Sequence, residues 1–200
     1  MRRADGDQPF SSLTVRASVG AGPRRSRTPL DHHAMLTRKE IQKTKDDEEL
    51  DDLVMIEAES RVSDPRDKDA YLKSIRALPI GLRAFWATWI VQCEVENGGI
   101  GQYFWNMRDE AFYEEARSGF RLIGAQEVLQ LFEEALQIRN TYLPRTKSLK
   151  KWDDYVKIMG YVPLEENHAD FPSRFLDALE KMRSIRVAFI RKNPQLFMEI

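Results

Sequence analysis

Apolar residues recur at helical spacing through most of the chain after Met35. Two clear examples are the sets Leu50, Leu53, Val54, Ala58 and Trp86, Trp89, Ile90, Cys93. Each set falls on one face of a helix with 3.6 residues per turn. No stretch alternates between apolar and polar residues as a half-buried strand does. The pattern therefore predicts an all-α fold, with one compact domain of six to eight helices over residues 35–200.

Local signals indicate where these helices begin and end. Helix starts are expected at Thr44 with Asp47, at Asp64-Pro65, at Pro79 and at Ser173. Gly124 breaks the pattern between two helices. Residues 160–172 are predicted to form a loop. One long last helix is then expected from Ser173 until shortly before Asn193-Pro194.

Residues 1–34 differ in composition from the rest of the chain. They contain six arginines against three aspartates, together with Gly, Pro and Ser and few large apolar residues. Such a segment buries too little apolar surface to order a chain, so a disordered basic tail is predicted. The alternative interpretation is that Met35 is the true start of the protein and that residues 1–34 are an upstream extension.

Bulk composition limits the classes of function. The 31 basic and 32 acidic side chains nearly cancel, so net charge indicates neither a nucleic-acid binder nor a strongly acidic protein. Cys93 is the single cysteine, and no cluster of Cys and His has metal-ligand spacing. The most apolar run, residues 84–91, is far shorter than the ~20 residues that span a bilayer. A cytoplasmic protein is expected, with no metal, cofactor, catalytic motif or membrane partner.

The most distinctive segment is a glycine-rich corner within the helical pattern. Asn97, Gly98 and Gly99 permit positive φ at a helix end, and Tyr103 and Phe104 are then expected to pack inward. Gln102 and Asn106 are four residues apart and would share one face of a helix. Their amides are expected to bond exposed backbone groups of the corner. The alternative is a small pocket in which Gln102, Tyr103 and Asn106 hold a ligand.

Residues 96–106, together with the later Arg121-Leu122-Ile123-Gly124-Ala125, resemble the bacterial family of the DNA-mimic protein of nineteen kilodaltons. The resemblance is specific over about residues 70–136 and extends loosely to 193–197. It implies an all-α protein whose acidic surface imitates the phosphate rows of DNA. That surface would occupy the DNA-binding face of a helix-turn-helix repressor. No catalytic residue is carried over from the family.

Charge is distributed unevenly along the chain, as such a mimic would require. Residues 40–69 contain 12 acidic and 5 basic side chains, and residues 94–134 contain 9 acidic and 3 basic. From residue 135 onward the balance reverses to 12 basic against 8 acidic. The acidic side chains predicted to form an interaction surface are Asp46, Asp47, Glu48, Asp51, Asp52, Asp109, Glu110, Glu114 and Glu115. A solvated helix face with acids near its N-terminus would give the same pattern.

The leading hypothesis is a non-catalytic interaction protein whose acidic helices bind a basic protein, with a DNA-binding transcription factor as the candidate partner. Direct binding to nucleic acid is not expected, because basic residues hardly interleave with the aromatic residues of segment 86–105. One alternative is a ligand-binding or enzymatic domain built around the Asn-Gly-Gly corner. Another is an immunity-type inhibitor of a basic toxin.

Overall fold

A computed structural model describes residues 36–168 and 170–198 of the chain. These residues form eleven α-helices and a final 3₁₀ helix, in one compact all-α domain. The α-helices are α1 Arg38–Lys43, α2 Asp47–Glu59, α3 Lys68–Ala77, α4 Ile80–Gly98, α5 Ile100–Asn106, α6 Glu110–Ile123, α7 Gln126–Thr146, α8 Trp152–Met159, α9 Tyr161–Asn167, α10 Phe171–Leu179 and α11 Met182–Lys192. The 3₁₀ helix is Pro194–Phe197. The predicted tail, residues 1–34, lies outside the described residues.

The all-α class is confirmed, but the described part of the chain has more helices than the six to eight predicted. The predicted loop over residues 160–172 is wrong, because α9 occupies most of it and α10 begins within it. The expected long last helix is two helices, with the break at Glu180 and Lys181. Helix α9 buries only Leu164, so its apolar periodicity is too brief to recognise in the sequence.

Several helix starts lie a few residues from the predicted ones. The capping box is formed by Thr37 and Glu40 at α1, whereas Thr44 ends α1. Asp46 caps α2 by accepting a hydrogen bond from the Glu49 backbone N–H at 2.8 Å. The helix expected from Asp64-Pro65 begins later, at α3, which Asp67 caps. Short polar side chains are common in these linkers, so the sequence offers several possible caps and tertiary packing selects one.

Helix α4 is the centre of the domain. It is buried on most of its surface, which is why its apolar residues extend well beyond one stripe. Helices α2, α3, α5, α6, α10 and α11 and the 3₁₀ helix all pack against it. Helix α6 comes close to α4 at Gly119, where an added Cβ would lie 2.9 Å from the Thr88 side chain. The core of the protein therefore fixes the position of the segment that follows α4.

No helix in residues 36–168 and 170–198 has the length and apolar character needed to cross a membrane. In the same residues no group of three or more His, Cys, Asp or Glu side chains is placed to hold a metal ion.

Candidate functional site

The glycine-rich corner is the junction of α4 and α5. Gly99 has a φ of +79°, which residues with a Cβ rarely adopt, and it separates the two helices. Gly101 then allows α5 to approach the end of α8, because a Cβ there would lie 1.8 Å from the carbonyl oxygen of Met159. The two glycines therefore have different roles: Gly99 turns the chain and Gly101 admits a neighbouring backbone.

A buried carboxylate holds the corner together. Glu94, in the last turns of α4, is only 5% exposed. Its Oε2 atom accepts a hydrogen bond from Gln102 Nε2 at 2.7 Å and one from Asn106 Nδ2 at 2.8 Å. We name Glu94, Gln102 and Asn106 the corner triad. The triad joins α4 to α5 across the break at Gly99.

The prediction that Gln102 and Asn106 bond backbone groups is therefore wrong, although the prediction that they share a face is confirmed. Sequence reasoning missed Glu94 because it lies 8 and 12 residues from its partners, across a helix break that no helical periodicity spans. One signal was available. Glu94 is a carboxylate between Cys93 and Val95 in a largely apolar helix, and buried charges of this kind normally have hydrogen-bond partners.

Burial raises the pKa of Glu94 above its ordinary value of 4.5, since desolvation disfavours the ionised form. The hydrogen bonds from Gln102 and Asn106, and the charge of Lys68, oppose that shift without cancelling it. Burial also lowers the pKa of Lys68, in the first turn of α3. The corner triad is thus a polar cluster whose protonation is linked to folding.

The remaining residues of the motif have structural roles. Tyr103 and Phe104 pack inward as predicted, and the Tyr103 hydroxyl donates to the Phe112 carbonyl at 3.2 Å. Gln102 lies over Gly98, where a Cβ would be 2.1 Å from Gln102 Oε1, and Asn97 is exposed. Gly124 ends α6 in the left-handed conformation, with a φ of +82°.

The amide side chains of the corner meet at Glu94 and not at the pocket that lies nearest to the turn. A pocket does lie beside Gly99, but its volume is about 10 Å³ and its lining is mostly apolar, including Val95, Ile100 and Tyr161. Neither Gln102 nor Asn106 lines it. A cavity of this size holds about one water. The arrangement therefore favours a structural corner over the ligand-binding alternative.

The acidic residues of α2 divide into exposed and buried groups. Asp46, Asp47, Glu48 and Asp52 are exposed as predicted. Asp51 is 4% exposed, and its two carboxylate oxygens accept from Arg186 Nε at 2.9 Å and Nη2 at 2.8 Å. Its assignment to the interaction surface is therefore wrong, because it lies inside the protein as half of a buried ion pair.

The acidic residues of α6 are largely matched by arginines. Glu115 is 5% exposed and binds both Arg76 and Arg83, at 2.8 Å and 2.6 Å, so its assignment to an exposed surface is also wrong. Asp109 caps α6. The exposed Glu110 pairs with Arg139 at 3.0 Å, and the exposed Glu114 pairs with Arg117. Little uncompensated charge is left on this helix.

The basic C-terminal part of the chain folds back onto the acidic helices. The pairs are Arg191 with Asp47 at 2.6 Å, Arg183 with Glu48 at 3.6 Å, Arg174 with Glu134 at 2.7 Å and Lys181 with Glu127 at 2.9 Å. The acidic and basic segments, which are separate in the sequence, are therefore paired with each other in the fold. The densest exposed acidic region that remains is the first half of α2.

Comparisons with known proteins support the resemblance seen in the sequence. The sequence profile of the DMP19-like protein family matches residues 76–193, which include the corner triad and both glycines of the turn. No curated protein and no solved structure matches the chain. The family match covers more than half of the chain and falls on the helices that build its core. The chain therefore belongs to the DMP19-like protein family.

Proposed function

We propose that this protein is a non-catalytic interaction protein of the bacterial cytoplasm that presents the acidic face of α2 to the DNA-binding surface of a basic protein. The acidic face consists of Asp46, Asp47, Glu48, Glu49 and Asp52. All five side chains are exposed and lie within seven consecutive residues. Membership of a family named for a DNA mimic supports this function. The observation on which the proposal rests is the set of exposed carboxylates on α2.

The linear charge density of this face is close to that of DNA. An α-helix rises about 1.5 Å per residue, so the four acids from Asp47 to Asp52 occur on average every ~2 Å of helix axis. Double-stranded DNA carries about one charge per 1.7 Å. Arg191 and Arg183 pair with Asp47 and Glu48, yet those carboxylates keep 63% and 58% of their surface exposed. They therefore remain accessible to a second cation from a partner.

Mimicry also requires carboxylates held in place before binding, because ordering them during binding would cost affinity. The buried pair of Asp51 and Arg186 fixes α2 to α11, and Gln92 of α4 accepts from Arg186 Nη1 at 2.7 Å. Arg191 additionally donates to the carbonyls of Thr44 and Lys45 at 2.9 Å, just before α2. Helix α2, which bears the acidic face, is thus held against the core by contacts at and just before its first turns.

The acidic face lies outside residues 76–193, so the family match itself does not cover it. The part of the chain that matches the family supplies the platform, namely α4 and α11, on which α2 rests. We therefore assign the partner-binding role to a segment outside the matched residues, supported by a core shared with the family.

The test is affinity capture from native bacterial lysate at about 50 mM salt, followed by salt-step elution and by elution with random-sequence duplex DNA. The charge variant is Asp47→Asn with Glu48→Gln and Asp52→Asn. A matched control, Asp153→Asn with Asp177→Asn and Glu180→Gln, removes the same number of exposed acids from other helices.

The expected result is a DNA-binding protein that is retained by wild type and by the control, lost in the charge variant, and released by duplex DNA. Retention that is equal in both variants would contradict the assignment of α2. A partner that duplex DNA does not displace would instead support the immunity-type alternative, since a toxin inhibitor shares the acidic face but need not cover a DNA-binding surface.

A further inference from the structure

A second charged surface forms where α5 ends beside the segment that joins α7 to α8. Trp105, in the last turn of α5, contacts Trp152, the first residue of α8, with ring centroids 5.7 Å apart. Arg108 follows α5 and donates from Nη1 to the Leu149 carbonyl at 3.3 Å. These two contacts bring together residues that are more than 40 positions apart in the sequence.

Four cations and two tryptophans make up this surface. We name it the basic-aromatic surface, and its members are Trp105, Arg108, Lys147, Lys150, Lys151 and Trp152. All four cations are exposed, and both tryptophans are partly exposed. Within residues 36–168 and 170–198 none of the four cations has a carboxylate partner, in contrast to the arginines of α10 and α11. Asp153 and Asp154 follow in α8, and Asp154 is paired with Lys157.

Arg108 is fixed in an orientation suited to binding. Its guanidinium carbon lies 3.8 Å from the centroid of the Trp105 ring, so the cation is stacked on the indole. Nε donates to the Trp105 carbonyl and Nη1 to the Leu149 carbonyl, both at 3.3 Å. A guanidinium has five N–H donors, so donors remain for a ligand. Arg108 is an exposed residue, so a ligand can reach its guanidinium.

We propose that the basic-aromatic surface binds single-stranded nucleic acid, with a base stacked on the guanidinium plane of Arg108 and phosphates held by Lys147, Lys150 and Lys151. Bases in single strands stack on aromatic rings and on arginine planes, and lysines follow the phosphate backbone. A duplex keeps its bases stacked inside and would leave the Trp105–Arg108 stack without a partner. An acidic peptide would neutralise the lysines but has no ring to cover the guanidinium plane.

This proposal is independent of the acidic face of α2, and it departs from the expectation drawn from sequence. That expectation considered the aromatic segment 86–105, which contains no lysine or arginine. The lysines that complete the surface come from residues 147–151, and only tertiary structure places them beside Trp105.

The experiment measures binding of the full chain to a fluorescein-labelled single strand of about 12 thymidines by anisotropy, at about 50 and 200 mM salt. Each phosphate contact on a single strand contributes a slope of about −0.7 in a plot of log affinity against log salt. Three contacts, one from each lysine, then predict an affinity loss of about 18-fold across this range. Lys150→Gln with Lys151→Gln removes two contacts, so the salt-dependent loss should fall to about 3-fold.

Two further variants separate stacking from charge. Arg108→Lys keeps the positive charge but has no plane, so binding should weaken by about 5- to 150-fold with an unchanged salt slope. Lys39→Gln with Lys73→Gln removes two exposed lysines on other helices and should leave binding unchanged.

Three outcomes would overturn the proposal. One is equal binding by the Lys150/Lys151 variant and the Lys39/Lys73 control. Every variant retains the six arginines of residues 1–34, and these arginines would then account for the binding. The second is duplex DNA bound as tightly as the single strand. The third is displacement of the single strand by a polyglutamate peptide at equal charge concentration.

Discussion

Replacing Glu94 tests whether the corner triad holds α4 and α5 together through hydrogen bonds or through charge. Both amide donors, from Gln102 and Asn106, reach the same carboxylate atom, Oε2. A glutamine side chain offers one oxygen with two lone pairs, so Glu94→Gln can accept both hydrogen bonds. Glu94→Ala removes the acceptor and leaves both amides without it.

The two substitutions should therefore differ in the free energy of unfolding. A donor left without a partner in a buried site costs about 1–3 kcal/mol. The amides are only partly buried, so water reaches them to some extent, and we expect Glu94→Ala to cost about 2–4 kcal/mol in total. Glu94→Gln should change stability by less than about 1 kcal/mol near neutral pH, because it keeps the hydrogen bonds and removes a buried charge.

The pH dependence has a definite sign. Burial raises the pKa of Glu94 in the folded state. The folded protein therefore still binds a proton at pH values where the unfolded chain has already released it. The contribution of Glu94 to stability is complete below 4.5 and is lost as pH rises through the raised pKa. The stability of Glu94→Gln relative to wild type should therefore increase as pH rises above 4.5 and then level off.

The assay is urea denaturation of wild type, Glu94→Ala and Glu94→Gln, followed by far-ultraviolet circular dichroism from about pH 4.5 to about pH 8. Glu96→Ala is the matched control, since Glu96 is exposed two residues away and its loss should cost less than about 0.5 kcal/mol. Equal destabilisation by Glu94→Gln and Glu94→Ala would refute the reasoning, because it would mean that the charge, and not the hydrogen bonding, stabilises the corner.

Three other substitutions test the buried contacts of the fold. Asp51→Asn should lower the free energy of unfolding by about 3–5 kcal/mol, because it leaves the buried Arg186 without its counter-ion. Glu115→Gln should make the free energy of unfolding less sensitive to acid. Burial acts to raise the pKa of Glu115, but the hydrogen bonds from its two arginines outweigh burial and lower the pKa. Wild type therefore loses the stability that ionised Glu115 contributes as pH falls below 4.5. Gly101→Ala should cost about 3 kcal/mol or more, because the new Cβ would meet the Met159 carbonyl at 1.8 Å and the backbones of α5 and α8 must separate.

Chemical denaturation measures all three, and each has a control of the same chemistry. Asp47→Asn breaks an exposed pair and should cost less than about 1 kcal/mol, so an equal cost for Asp51→Asn would contradict the buried-pair argument. Glu114→Gln, unlike Glu115→Gln, should leave unchanged the loss of unfolding free energy that occurs as pH falls. Ser118→Ala, an exposed change in α6, should be neutral, and a Gly101→Ala variant equally stable would show that the corner tolerates a Cβ.

Local patterns in the chain were sufficient for the fold class, for the central helix and for the family. Apolar spacing identified α2 and α4, and the run from Asn97 to Gly99 marked the end of α4, because helix periodicity and glycine conformations are properties of neighbouring residues. The same logic failed at α9, where a helix of seven residues is too short for a periodic signal. It also failed at the α10–α11 break, where packing rather than a glycine or proline ends the helix.

Long-range pairing decided which charged residues are available for function. Asp51 and Asp52 are adjacent in sequence, yet the first is buried against Arg186, 135 positions away, and the second is exposed. Trp105 and Trp152 are likewise remote in sequence and in contact in the fold. A sequence records charge and spacing but not which distant residue will neutralise a given carboxylate. That choice depends on how helices pack around α4, where the cost of burying an unpaired charge selects the partner.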